Sequence, residues 1–260
     1  SCMGIEFAAM PKPAKSVARP LSAILPRTTL DRSRHAAPQV FEQLRARIVS
    51  MELAPGTVLV RSELAEAFGV SQTPIRDALI KLGEEGLVQI FAQHATVVSR
   101  IDLAAATQAH LLRQALELEI VERLAAGEAD LALETRLAEA LAQQRALLAR
   151  QDTAGLLADP DYAEFIEADR AFHQAMYAAL GLEALWTLVR RQSGHIDRLR
   201  RLHLPEAGNI ASVLAQHEQI AATIARREPS AARTAVREHL NDLLGRIDEI
   251  RRLYPESVIG

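Results

Sequence analysis

From Ile101 onward the chain carries no strand signal, and Leu and Ala recur in amphipathic stretches broken by single Gly and Pro residues. This restricts about 150 residues to an all-helical arrangement. The spacing predicts six helices, at 102–126, 130–150, 160–180, 183–203, 209–227 and 229–253, punctuated by Gly127, Gly155, Gly181, Pro205, Gly208 and Pro229. Short connections between long helices imply an antiparallel bundle.

The preceding segment has a different grammar. Val40, Leu44, Ile48 and Met51 recur at helical spacing before the APG stop at 54–56. A short helix follows from Ser62, its expected cap, to Phe68, and Gly69 and Val70 make a turn. Ser71 then caps a third helix with Pro74 in its first turn and Ile75, Ala78, Leu79 and Leu82 as its buried stripe. Gly86 ends it, and LVQIF and ATVVS read as a hairpin. The fold class is mainly α: an N-terminal winged helix-turn-helix, then the all-helical bundle.

Residues 1–37 contain four prolines and no sustained period, which reads as a basic, disordered tail, either a solvated extension or a DNA-contacting arm. The expected division is 1–37 tail, 38–100 DNA-binding domain and 101–255 helical domain. Net charge is +4, −1 and −6 over 1–37, 38–100 and the remainder, so DNA binding rests on where particular Arg and Lys point. No apolar run approaches the ~18 residues of a membrane span. The opening residues lack the order of a secretory signal, and Cys2 is the only cysteine. A disulfide framework is thereby excluded, and a cytoplasmic protein without membrane attachment is expected.

Residues 52–88, ELAPGTVLVRSELAEAFGVSQTPIRDALIKLGEEGLV, closely resemble the DNA-binding domain of the GntR family of bacterial repressors through LAPGT, LAEAFGVS, TPIRDAL and EGLV. The helical remainder is similar to the FCD ligand-sensing domain of the FadR subfamily, in its six-helix, VanR-like form. Two positions depart from the family pattern: Gln72 stands where Arg is usual, and Ala95 where the wing tip usually has Gly. The resemblance implies a metabolite-responsive regulator, a repressor released by its ligand, acting as a homodimer on double-stranded operator DNA.

The residues support such docking independently. Ser71, Gln72, Thr73 and Arg76 cluster at one helix end, where free N–H groups also favour a phosphate. Arg76 is the expected base reader, since its fork matches guanine; Ser71, Thr73, Arg61 and Lys81 would position the backbone. Gln93 and His94 at the wing tip reach toward the minor groove, or His94 is simply an exposed loop histidine.

In DPDYAEFIEADRAFHQAMYAAL, Asp169 and His173 share the stripe of Phe165, Ile166, Phe172, Met176 and Leu180. A carboxylate on an apolar face requires pairing or a metal. His217, among Val213, Leu214, Ile220 and Ile224, and His239, among Val236, Leu240, Leu243 and Ile247, bring ligand groups from two further helices. Asp169, His173, His217 and His239 also match the Asp and three-His pattern of metal-binding FCD domains. Such a set suits Zn, Ni, Fe or Mn, either as a closed structural site or with positions left for an effector.

Arg113 corresponds to an Arg that in the family faces the cavity beside the metal, and Arg with a metal makes a site for a small organic acid. Its alternative is an intrahelical pair with Glu117. Gln192, Ser193 and His195 on the fourth bundle helix, and Asn241 near the rim, are further effector candidates. Trp186 reads as packing. The other functions open to this pattern are a metalloenzyme, although the inner stripes offer no obvious additional Glu, Cys or Ser, and a regulator whose metal is purely structural or is itself the signal.

Overall fold

A computed structural model describes residues 21, 25, 27–91, 95–128, 132–203 and 208–260. Of the expected tail over 1–37, residues 1–20, 22–24 and 26 lie outside the described residues, as do Gln93 and His94. The rest corrects the expectation, since Leu21 and Leu25 are buried in the winged-domain core, the Thr28 N–H donates to the Ala67 carbonyl and the Asp31 N–H to Gln39 Oε1.

Helix α1 (Ala36–Val49) presents Val40, Leu44 and Ile48 to a core that also receives Leu64 and Phe68 from α2 (Arg61–Phe68) and Ile75, Leu79 and Leu82 from α3 (Gln72–Glu84). Each such fully buried Leu or Ile contributes roughly 1.5–3 kcal/mol. Strand β1 (Val58–Leu59) pairs antiparallel with β3 (Thr96–Val98), which also pairs with β2 (Val88–Ile90). The wing is thus three-stranded rather than a bare hairpin, because Val58 and Leu59 meet Val97 and Thr96. Three local expectations are corrected. Val60, not Ser62, is the N-cap of α2; α1 stops at Val49; and Met51 lies beyond its end at φ 65°.

Strand β4 (Ile101–Asp102) leads directly into α4 (Leu103–Arg123), whose first turn is capped by the Asp102 carboxylate accepting from the Ala105 N–H at 3.0 Å. After a kink at Gly127, where φ is 98°, come α5 (Leu133–Leu148), α6 (Asp159–Ala178), α7 (Glu183–Gln192), α8 (Gly194–His203), α9 (Asn209–Ala225), α10 (Pro229–Leu244) and α11 (Ile247–Leu253). Helix α4 packs on α10, α5 on α6, and α9 on both α5 and α10. Their shared core includes Leu118, Val121, Phe172, Met176, Ile220 and Val236.

The bundle departs from the six expected helices in two places. The stretch over 183–203 breaks at Ser193, whose hydroxyl donates to the Arg190 carbonyl at 2.9 Å and to Asp197 Oδ2 at 3.0 Å. The last stretch breaks between Leu244 and Ile247. Past its end, β5 (Val258–Ile259) pairs in parallel with β4, so order continues beyond residue 255 and the helical half does contain strand.

Two glycines let α8 approach the winged domain. A Cβ on Gly194 would stand 2.7 Å from Leu87 Cδ2. Gly86, at φ +70°, already requires glycine for its backbone, and a Cβ there would meet His195 Nε2 at 3.0 Å.

Candidate metal centre and DNA-binding face

Four ligand groups converge inside the bundle. Asp169 and His173 come from α6 one turn apart, His217 from α9 and His239 from α10, and all are buried. His239 Nε2 lies 3.2 Å from both His217 Nε2 and His173 Nε2; Asp169 Oδ1 is 3.5 Å from His217 Nε2 and 4.0 Å from His173 Nε2. Ligands about 2.1 Å from one ion would stand roughly 3.0–3.4 Å apart, depending on coordination geometry.

The outward faces of the rings explain why these nitrogens meet. Gln144 Oε1 is 2.9 Å from His217 Nδ1, and Gln216 Oε1 is 2.8 Å from His239 Nδ1. Glu117 Oε2 is 2.9 Å from His173 Nδ1, a close contact short of a well-aligned hydrogen bond. Oxygens at Nδ1 keep the proton there and leave a lone pair on each Nε2. Three lone pairs facing one another, beside a carboxylate, have no proton to share. They fit a cation, and the group can hold a metal ion.

Charge reinforces this arrangement. Burial lowers the pKa of all three histidines, His217 to about 3 and His239 well below its usual value, so the imidazoles are neutral ligands. Burial would raise the Asp169 carboxyl, but the charge of Arg200 holds it well below the usual range. Arg200 Nη1 donates to Asp169 Oδ2 at 3.2 Å.

Of its two expected readings, Arg113 makes the intrahelical pair. Its Nε donates to Glu117 Oε1 at 2.6 Å, the intrahelical pair, and its charge also acts on Asp169. Burial favours a neutral Glu117, yet Arg113 and His173 bring its pKa down to about 2. Glu117 is thus the buried carboxylate that the inner-stripe reading missed. Its i, i+4 spacing from Arg113 was visible; its contact with His173 on another helix was not. Gln144, Gln216 and Arg200 were missed for the same reason.

The remaining effector candidates are placed elsewhere. Gln192 is exposed and, with His195, lines a groove of about 590 Å³ bounded by Gly86, Gln89, Arg100 and Asp102. Ser193 is occupied with Arg190 and Asp197, and His195 contacts the domain junction. The break at Ser193 splits the single helix on which these three were grouped, so Gln192 and His195 belong to different elements. Asn241 Oδ1, at the surface, accepts from Gln114 at 2.8 Å. Trp186 packs against Tyr177, ring centroids 5.3 Å apart.

On the winged domain, Ser71, Gln72, Thr73, Arg76 and Lys81 are exposed and Arg61 is half-buried. Ser71 sits at the N-cap of α3 with its side chain making no cap hydrogen bond, so hydroxyl and first-turn N–H groups stay available. No carboxylate pairs with Arg76 among the described residues.

A winged helix-turn-helix with an open recognition-helix end, joined to a bundle enclosing a ligand cluster, defines a ligand-sensing DNA-binding regulator. Residues 36–98 match the family described as bacterial regulatory proteins, gntR family, and residues 107–242 match the FCD domain. The chain belongs to the GntR family, in the group that carries an FCD domain, and is a transcriptional regulator. It is 39% identical to an uncharacterized HTH-type transcriptional regulator in an unstable DNA locus of Streptomyces ambofaciens, over 84% of this chain and 87% of that one. It is 28% identical to the HTH-type transcriptional repressor RspR of Escherichia coli strain K12, over 86% and 94%. In structure it is similar to E. coli McbR/YncC, with a TM-score of 0.65 and 21% identity over 86% and 99% of the two chains, a likeness of fold. No helix among the described residues is long and apolar enough to cross a membrane.

Proposed function

We propose that this regulator is a cytoplasmic repressor, binding double-stranded operator DNA as a homodimer and released by a small organic acid at a divalent transition metal. Residues 38–100 form the DNA-reading unit and residues from 101 the sensing unit, which extends through β5. Arg76 reads a base edge, while Ser71, Gln72, Thr73, Arg61 and Lys81 set the register. Asp169, His173, His217 and His239 hold the metal, with Zn, Ni, Fe and Mn all compatible with the donor set. The observation that carries this reading is the convergence of three Nε2 lone pairs whose Nδ1 atoms face oxygens.

Arg113 is the group most suited to the acid's carboxylate. It already holds Glu117, so an entering acid competes with an internal carboxylate for the guanidinium. That competition supports a response tuned to acid concentration.

Operator affinity, titrated with a panel of small mono-, di- and tricarboxylic acids at saturating metal, tests the reading. At least one acid is expected to weaken DNA binding, and Arg113→Lys, which keeps a charge beside Glu117 but loses the fork, is expected to need about tenfold more of it. Arg113→Ala is the poorer variant, because stranding buried Glu117 costs about 3–5 kcal/mol. Affinity that ignores every acid but follows metal removal would make the metal itself the signal.

A further inference from the structure

Helix α8 touches both ends of the molecule's function with opposite faces. On one face Arg200 donates to Asp169 Oδ2, the oxygen turned away from the histidines. About 140–160° round the helix lie His195 and Arg198. The Asp102 N–H and Arg198 Nη2 both donate to His195 Nδ1, each at 3.0 Å, and its other ring nitrogen is hydrogen-bonded to the Gly86 main chain, where the recognition helix α3 ends. Arg198 Nη1 donates to the Ser99 carbonyl at 2.7 Å, and Nη2 reaches the Arg100 carbonyl at 3.4 Å. These residues join the wing to the bundle.

Arg198 is fully buried, and among the described residues no carboxylate pairs with it. Burial without a counter-charge lowers its pKa to about 10. A buried cation held only by carbonyls, a hydroxyl and an imidazole is costly, so its seat depends on α8 staying in register. A shift of α8 that opened this seat to water would relieve that cost, giving the helix a second arrangement. An element with two such arrangements is what coupling between distant sites requires.

We infer that α8 is the lever between the metal centre and the recognition helix, with Arg200 as the positioning residue that senses Asp169 and with His195 and Arg198 as the grip on Gly86 and Ser99. This rests on the metal reading above. A cation held by Asp169 would fix its carboxylate and reinforce the Arg200 contact to Oδ2, and its loss would loosen the anchor of α8.

The test compares full-length protein loaded with Zn(II) or Ni(II) against chelator-stripped protein, reading metal stoichiometry, operator affinity and amide hydrogen exchange over residues 86–102. In the wild type, stripping is expected to speed exchange there and to shift operator affinity at least ~5-fold, the lower end of ordinary coupling. His195→Phe should bind metal normally yet shift less than about twofold, and Arg200→Met should shift as little at whatever metal it retains, with Arg200→Lys restoring most of the effect. Should Arg200→Met lose metal by disturbing Asp169, His195→Phe, which contacts no ligand, decides. Metal-dependent shifts of wild-type size in His195→Phe, or a wild type whose bound metal changes neither affinity nor exchange, would overturn the lever and leave the metal centre standing. A wild type that takes up no metal would overturn both.

Discussion

Gln144 Oε1 stands 2.9 Å from His217 Nδ1, with both side chains sealed from solvent. The amide comes from α5, a helix that contributes no ligand, and it turns the imidazole so that Nε2 faces the other histidines. A group of this kind acts on a metal through the ligand it holds.

Gln144→Met keeps the volume and removes the acceptor. Metal affinity is expected to fall by about 10- to 100-fold, as for other groups that orient a ligating histidine. Competition with a chromophoric chelator measures it; unchanged affinity would mean that packing of His217 against Phe172, ring centroids 4.3 Å apart, orients the ring unaided.

His217→Ala and His239→Ala should each lower metal content and thermal stability together, because a metal that binds only the folded state stabilises it by mass action. Elemental analysis alongside melting curves reads both quantities, and unchanged stoichiometry in both variants would refute the site. His195→Ala, whose bonds go to Gly86, Asp102 and Arg198, should leave metal content intact.

Arg76→Ala should weaken operator binding by about 1–3 kcal/mol and relax discrimination at one base position. Affinity for single-base operator variants distinguishes this from a phosphate contact, which would weaken all sequences alike. Binding should also fall steeply with salt, despite the net charge of −3, since only the local cations displace counterions.

Burial and the neighbouring Arg198 lower the His195 pKa from 6.5 to about 4. The folded value is below the unfolded one, so below pH 6.5 the unfolded chain takes up a proton that the folded protein refuses. Stability contributed here is complete above about pH 6.5 and falls toward pH 4 by up to ~1.4 kcal/mol per pH unit. Denaturation midpoints of metal-free protein across this window should show a shallower slope for His195→Phe. An unchanged slope would mean that His195 takes up its proton in the folded state.

The winged helix and the ligand set were legible because both are written in short-range pattern. Helical period fixes which residues share a face, so Asp169 and His173 are neighbours wherever α6 goes, and the stripes of α9 and α10 had to turn His217 and His239 inward with Ile220 and Val236. What lay beyond reach were partners joined across long sequence separations: Gln144 with His217, Glu117 with His173, Arg200 with Asp169. Such pairs have no period, and each residue alone looks like a solvated polar group. The same blindness applied to His195, grouped with Gln192 as an effector candidate although its side chain meets Asp102 and Arg198. Its side chain was assigned only when Ser193 broke the helix and Gly194 let α8 settle against Leu87. Strands β4 and β5 are two residues each, too short for any pattern, and exist because Ile101 and Val258 meet across the fold. Sequence thus determined most of the helices and which four residues form the candidate metal cluster, since those follow from local geometry. Tertiary packing decided what surrounds each ligand and which helix grips the DNA-binding domain, since close approach of distant segments is a property of the whole core.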